Sequence, residues 1–226
     1  LVLKPTVTIH RPWRRYRPGA TRHALGALKQ KLLRVGSMVE ESAVLTRAVL
    51  AVPDLEAAPM VRRGDDRIDR LYRELEHDCR QLLTRRRLQD LEVREVLSYL
   101  HGVRDLERIG DYCKEVAELG EQLLPYQPLA LREPLLTMLD RCRSLLSLAL
   151  DGVSDGDPGT GARLLALDDL VDHDYERLLQ LLCDREQTTA MPAEATPLLV
   201  LTVRCLERMA DHAVNVSRRM GRAADA

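Results

Sequence analysis

The sequence predicts an all-α protein built as two similar three-helix bundles. Three observations carry that prediction: an internal repeat, a composition rich in leucine and charge but poor in aromatics, and apolar residues spaced by three and four. Residues 105 to 112 read DLERIGDY, and 100 positions later residues 205 to 212 read CLERMADH. GDDRIDRLYREL at 64 to 75 likewise matches LDDLVDHDYERL at 167 to 178, with an offset of 103. Two recurrences in the same order mark a duplicated chain, and the change of offset is a difference in loop length. The 226 residues then divide into two units of about 100. Phe is absent, aromatics make up 3% and charged residues 31%, the profile of helices with aliphatic seams rather than of a sandwich or barrel.

The first predicted helix runs from Thr21 to Ala51, where Leu25, Leu28, Leu32, Val35, Val39 and Ala43 form one apolar stripe. Pro53 suits the opening turn of a second helix that reaches Arg85. A third runs from Asp90 to Leu124 and stops before the YQP segment at 126 to 128. The second half repeats this layout with a helix from Leu131 to Val153, a loop DGDPGTG at 155 to 161, and a helix ending at Cys183. A polar break containing QTTAMP precedes a last helix from Ala195 to Arg222. A lone amphipathic helix cannot bury its stripe, so three antiparallel helices per half is the simplest packing. The expected organisation is a basic leader over residues 1–19, a first bundle over 20–125 and a second over 128–222.

The first 39 residues hold nine Lys or Arg and no acid, which leaves an acidic body behind a basic leader. HRPWRRYRPG is too interrupted by proline for a regular helix, and the leader is expected to be a disordered tail. Position 1 is Leu, read as a truncated or misassigned start. The five cysteines are scattered singly and never form CxxC, which points to a reducing cytoplasm. No apolar run approaches the roughly 20 residues that span a bilayer, so membrane association is expected only through partners. An acidic body repels a phosphate backbone, which argues against nucleic-acid binding.

The repeats carry carboxylate pairs one helical turn apart: Asp65 with Asp69, Glu107 with Asp111, Asp168 with Asp172, and Glu207 with Asp211. In an antiparallel hairpin, residues equidistant from the turn lie level. Asp69 and Glu107 are equidistant from Leu88, and Asp172 and Glu207 are centred between Thr189 and Ala190, so four carboxylates converge in each half. Leu100, Val103, Glu107, Gly110 and Lys114 share one stripe, where Gly110 permits a close approach. Converging carboxylates must take up protons, pair with basic groups or bind a cation. Hard metals prefer such oxygen ligands. Ordinary helix-surface pairing with Arg67, Arg70, Arg104 and Arg108 is the competing explanation.

These segments, DDRID at 65 to 69, DDLVD at 168 to 172, LERIGDY at 106 to 112 and LERMADHAVNV at 206 to 216, resemble the PhoU family of phosphate-uptake regulators over residues 21 to 222. The resemblance implies a PhoU-like, spectrin-repeat-like, pseudo-symmetric pair of three-helix bundles packed side by side. In some members of that family the acidic motifs hold multinuclear metal clusters, and the matching positions here are Asp65, Asp69, Glu107, Asp111, Asp168, Asp172, Glu207 and Asp211, with iron, zinc, manganese and magnesium all open as the metal. It also implies a cytoplasmic negative regulator, not an enzyme, that links the ATPase subunit of a phosphate ABC importer to a sensor histidine kinase. A homodimer is expected because residual apolar seams on small bundles are often covered by self-association.

The sequence departs from the family pattern at Glu115, where the second copy keeps Asn215, and in RRRLQDLEVR before the third helix. Cys205 replaces a residue that is commonly basic or polar. Glu74 and His77 form a single ExxH, whereas a di-iron-type oxidase needs two. His212 follows Asp211 and points away from it around the helix. There is no GxxxxGK[ST], GxGxxG or GxSxG, so direct phosphate binding is not expected. The alternatives to an adaptor are a metal store or metal-dependent oxidase on a helical bundle, and a scaffold without ligand.

Overall fold

The computed structural model describes residues 18–51, 56–85, 88–127, 131–155, 159–184 and 192–224. The helices are α1 (Pro18–Ala51), α2 (Ala57–Arg85), α3 (Asp90–Leu123), α4 (Arg132–Asp155), α5 (Thr160–Cys183) and α6 (Ala195–Ala224), with a short 3-10 turn at Leu124–Tyr126. No strand occurs among the described residues. The leader as far as residue 17, Pro53, residues 156–158 of the glycine-rich loop and residues 185–191 of the polar break lie outside them.

Local chemistry sets the ends. The described part of α1 opens at Pro18, so the helix already covers the residues before the expected Thr21. The Gln89 backbone N–H donates to the Glu92 carboxylate at 2.8 Å, which satisfies one orphan donor where α3 starts. The 3-10 turn that follows α3 contains Pro125, which cannot continue an α-helical ladder. The expected end at Leu124 is thus displaced by one residue.

The stripe on α1 is buried throughout, from Leu25 and Leu28 to Leu32, Val35, Val39 and Ala43. Helices α1, α2 and α3 each pack on the other two, and α4, α5 and α6 do the same. The halves meet where α3 lies on α6, the most extensive helix pairing, and where α1 lies on α4. Gly36 on α1 makes the second contact close, since a Cβ there would run into the Leu150 side chain. Leu32, Ile68, Leu106 and Ile109 of the first half join Met138, Leu139, Leu145 and Leu146 of the second in one continuous core.

Polar contacts fix the register between the halves. Asp105 on α3 is 5% exposed and accepts a hydrogen bond from Arg219 Nε on α6 at 2.5 Å, while its other oxygen lies 3.0 Å from His212 Nδ1. Tyr112 and His212 add a tilted ring contact at 5.9 Å between centroids. From Asp105 to Tyr112 to Glu115 along α3, the partners on α6 step back from Arg219 to His212 to Cys205, which makes the pair antiparallel. On the other side, Arg47 on α1 donates to Asp140 on α4 at 2.8 Å, and Lys29 donates to the Ser154 carbonyl at 3.0 Å.

A buried carboxylate with two basic partners is costly to disturb, because removing one member leaves the others desolvated and unpaired. Asp105→Asn keeps the shape and removes the charge, and it should cost about 1–3 kcal/mol, the scale of a hydrogen bond to a charged group. Urea denaturation would check this, and an unchanged midpoint would mean that Asp105 does not hold the halves in register.

Candidate functional site

The first acidic cluster is built by α2 and α3. Asp65 and Asp69 lie one turn apart on α2, and Glu107 and Asp111 one turn apart on α3. Gly110 stands between the last two, and a Cβ there would come 3.2 Å from Ile68 Cδ1 and 4.0 Å from Asp65 Oδ1. The missing side chain thus lets α2 approach, as the stripe on α3 anticipated. Asp65 is buried at 6% exposure, and Lys114 Nζ on α3 donates to its Oδ2 at 2.8 Å. Arg73 pairs with Asp69 at 2.8 Å. Arg108 lies 3.1 Å from Asp111 and 3.8 Å from Glu107.

The four carboxylates feel one another. Burial pushes the Glu107 carboxyl above its ordinary value, and the charges of Asp111, Asp69 and Asp65 push the same way while Arg108 opposes them. Burial and then the Asp65 charge raise Asp111. The hydrogen bond to Asp65 holds the Lys114 ammonium more firmly protonated than usual.

In the second cluster, α5 supplies Asp168 and Asp172, and α6 supplies Glu207 and Asp211. Arg208 lies 3.5 Å from Glu207 and 3.2 Å from Asp211. Neither Asp168 nor Asp172 has an ion pair among the described residues. Burial raises both, reinforced by Asp172 and Asp211 for the first and by Asp211, Asp169 and Glu176 for the second. Glu207 is raised by burial and by Asp211. The position matching Lys114 is Val214, which is 3% exposed, and the position matching Arg73 is Glu176.

The sequence pattern thus brings together the residues it singles out, but their basic partners differ from those expected. Arg108 takes the expected part, whereas Arg73 and Lys114 replace Arg67 and Arg70. Arg73 was legible as a partner four residues after Asp69. Among the described residues, no group of three or more His, Cys, Asp or Glu side chains is arranged to hold a metal ion. In the first cluster, chain cations sit on the oxygens that a metal would use.

Three other sequence signals resolve elsewhere. Glu115 leaves the first cluster alone and acts across the α3–α6 contact on the Cys205 thiol, which burial and Glu115 push up to about 12. That thiol is therefore protonated near neutral pH. His212 is engaged by Asp105 rather than by the second cluster. Glu74 and His77 stand exposed on α2, and His77 contacts Gln81.

Like charges one turn apart destabilise a helix by a few tenths of a kcal/mol. The raised carboxyls of the second cluster contribute stability below their unfolded value of about 4 and lose it as pH rises through their folded values. Asp168→Asn should therefore stabilise the chain at pH 7 by about 0.5 kcal/mol, and the gain should fade as pH falls toward about 4. Urea midpoints at the two pH values measure it, and a loss at pH 7 would reveal a partner that needs the Asp168 charge.

Comparison with known proteins places this arrangement. The family described as PhoU domain matches residues 32–120 and 135–220. The phosphate-specific transport system accessory protein PhoU homolog of Synechocystis sp. is 34% identical over 197 residues, covering 87% of this chain and 88% of that protein. The homolog of the same name from Pseudomonas putida is 28% identical, covering 85% of this chain and 76% of that one. The crystal structure of PhoU from Pseudomonas aeruginosa superposes with a TM-score of 0.84 at 26% identity, over 90% of this chain and 98% of that chain. These relatives are named as accessory proteins of phosphate transport, not as enzymes. With both halves matched in order and the helical architecture shared, the chain belongs to the PhoU family.

Proposed function

We propose that the chain is a cytoplasmic accessory protein of phosphate transport. In this reading it acts as an adaptor and negative regulator between the ATPase subunit of a phosphate ABC importer and a sensor histidine kinase. The observation that carries this reading is the family match through both halves. The structure adds physical support, because the less compensated acidic face, on α5 and α6, suits docking to a basic partner surface. Complementary charge of that kind governs encounter rate and specificity more than affinity. No helix among the described residues is long and apolar enough to cross a membrane, so the membrane-embedded importer would be reached through its ATPase subunit. Homodimer formation belongs to the same proposal.

The regulatory role has a cellular test. Cells lacking the chain should express phosphate-starvation genes in phosphate-rich medium, and normal repression there would overturn the role.

A metal ion belongs to the proposal at the second cluster only. Asp168, Asp172, Glu207 and Asp211, the set that basic side chains compensate least, would hold it once drawn together, since without metal they are not arranged as a ligand set. There it would supply positive charge and fix α5 against α6, and oxygen donors suit a hard cation such as manganese or magnesium. Elemental mass spectrometry on chain purified without chelator should find metal that falls in the Glu207→Ala, Asp211→Ala variant. Unchanged metal in that variant would remove these residues as ligands.

A further inference from the structure

We propose that Lys114 is the built-in counter-cation of the first acidic cluster, so that Asp65, Asp69, Glu107 and Asp111 take no metal ion. The inference departs from what the family resemblance implies for these four residues, and it does not depend on the regulatory role.

The duplication supplies an internal control. Both halves place two carboxylates on one helix and two on the next, in matching positions. They differ in what meets those oxygens. In the first half, Lys114 follows Asp111 by one turn on the Glu107–Gly110 stripe and reaches across to α2, where Nζ sits 2.8 Å from Asp65 Oδ2. Asp65 is the most deeply buried carboxylate of the eight, and a buried carboxylate needs a cation or hydrogen-bond donors in place. The lysine provides both. Arg73 and Arg108 occupy Asp69 and Asp111 from outside. Asp111 and Glu118 flank the ammonium on its own helix and add to its stabilisation. In the second half the same position is the buried Val214, which offers no charge.

A metal entering the first cluster would have to displace Lys114 from Asp65 or lie within a few ångströms of its ammonium. Either way one positive charge faces another in partly dry surroundings, where Coulomb repulsion is weakly screened. Tethering also favours the lysine, since an ammonium on the same chain is present at high effective concentration and loses no translational freedom on binding. The first half is therefore closed permanently by its own side chain.

The test uses the full chain with the second cluster silenced by Asp168→Asn and Asp211→Asn, and Mn(II) and Zn(II) as probes. With Lys114 present, equilibrium dialysis and elemental analysis should find no bound metal, and neither ion should shift the thermal midpoint. Lys114→Met in the same background should lower the midpoint without metal and tighten metal binding by roughly tenfold or more, the scale of removing one nearby unit charge. Added metal should then restore the midpoint. Lys114 is 40% exposed, so the fold should survive the change, and Lys114→Gln serves as a second variant that keeps a donor on Asp65 without the charge. Metal bound while Lys114 is present, and lost on Glu107→Gln with Asp111→Asn, would overturn the proposal. Failure of both Lys114 variants to gain metal would overturn it equally. Neither result touches the regulatory role, which the phosphate-starvation genes report.

Discussion

The antiparallel contact between α3 and α6 is the constraint on which the rest of the molecule depends. Each half presents its motif-bearing helix to the other, so the helices that carry the glutamate and aspartate pairs are also the helices that join the halves. Their inner faces are committed to Val103, Leu106, Ile109, Leu199, Val203 and Leu206, all at or near zero exposure. Residues Glu107, Asp111, Glu207 and Asp211 are left facing α2 or α5. The core runs unbroken through the contact.

Charge decides how each half uses that frame. The first half neutralises its carboxylates with Lys114, Arg73 and Arg108, and its α2–α3 crevice is closed by Gly110 and Ile68. The second half has Val214 and Glu176 at the matching positions, and its Asp168 and Asp172 remain without ion pairs among the described residues. The duplication preserved the carboxylates and let their compensation diverge. Raised carboxyls remain in both halves, Glu107 and Asp111 in the first and Asp168, Asp172 and Glu207 in the second, but only the first half has a lysine on its most buried carboxylate. Under the proposed adaptor role, two unlike faces would serve two different partners.

The fold was legible because its signals are local. The stripe from Leu25 to Ala43 and the repeated LER segments specify helices whose ends fall within a few residues of the expected ones. The clusters were legible as well, since positions equidistant from a turn lie level on antiparallel helices. The partners were not. Lys114 was visible on the stripe with Glu107, but its choice of Asp65 depends on how closely α2 approaches at Gly110. Asp105 was hidden for a different reason. Its counterpart is Cys205, so a search for what the halves share passes over the residue that binds Arg219 and His212 across them. Duplication reveals what is common to two copies and conceals what joins them.

The central claim, that the chain is an accessory protein of phosphate transport, is tested most directly by asking what it touches. Chemical cross-linking in cells grown with abundant phosphate, followed by affinity recovery of the chain and mass spectrometry, would identify its neighbours. The account predicts the ATPase subunit of a phosphate importer and a sensor histidine kinase, with linked residues on the acidic faces of α2, α3, α5 and α6. Recovery of the chain with neither partner, under conditions where importer and kinase are both expressed, would contradict it.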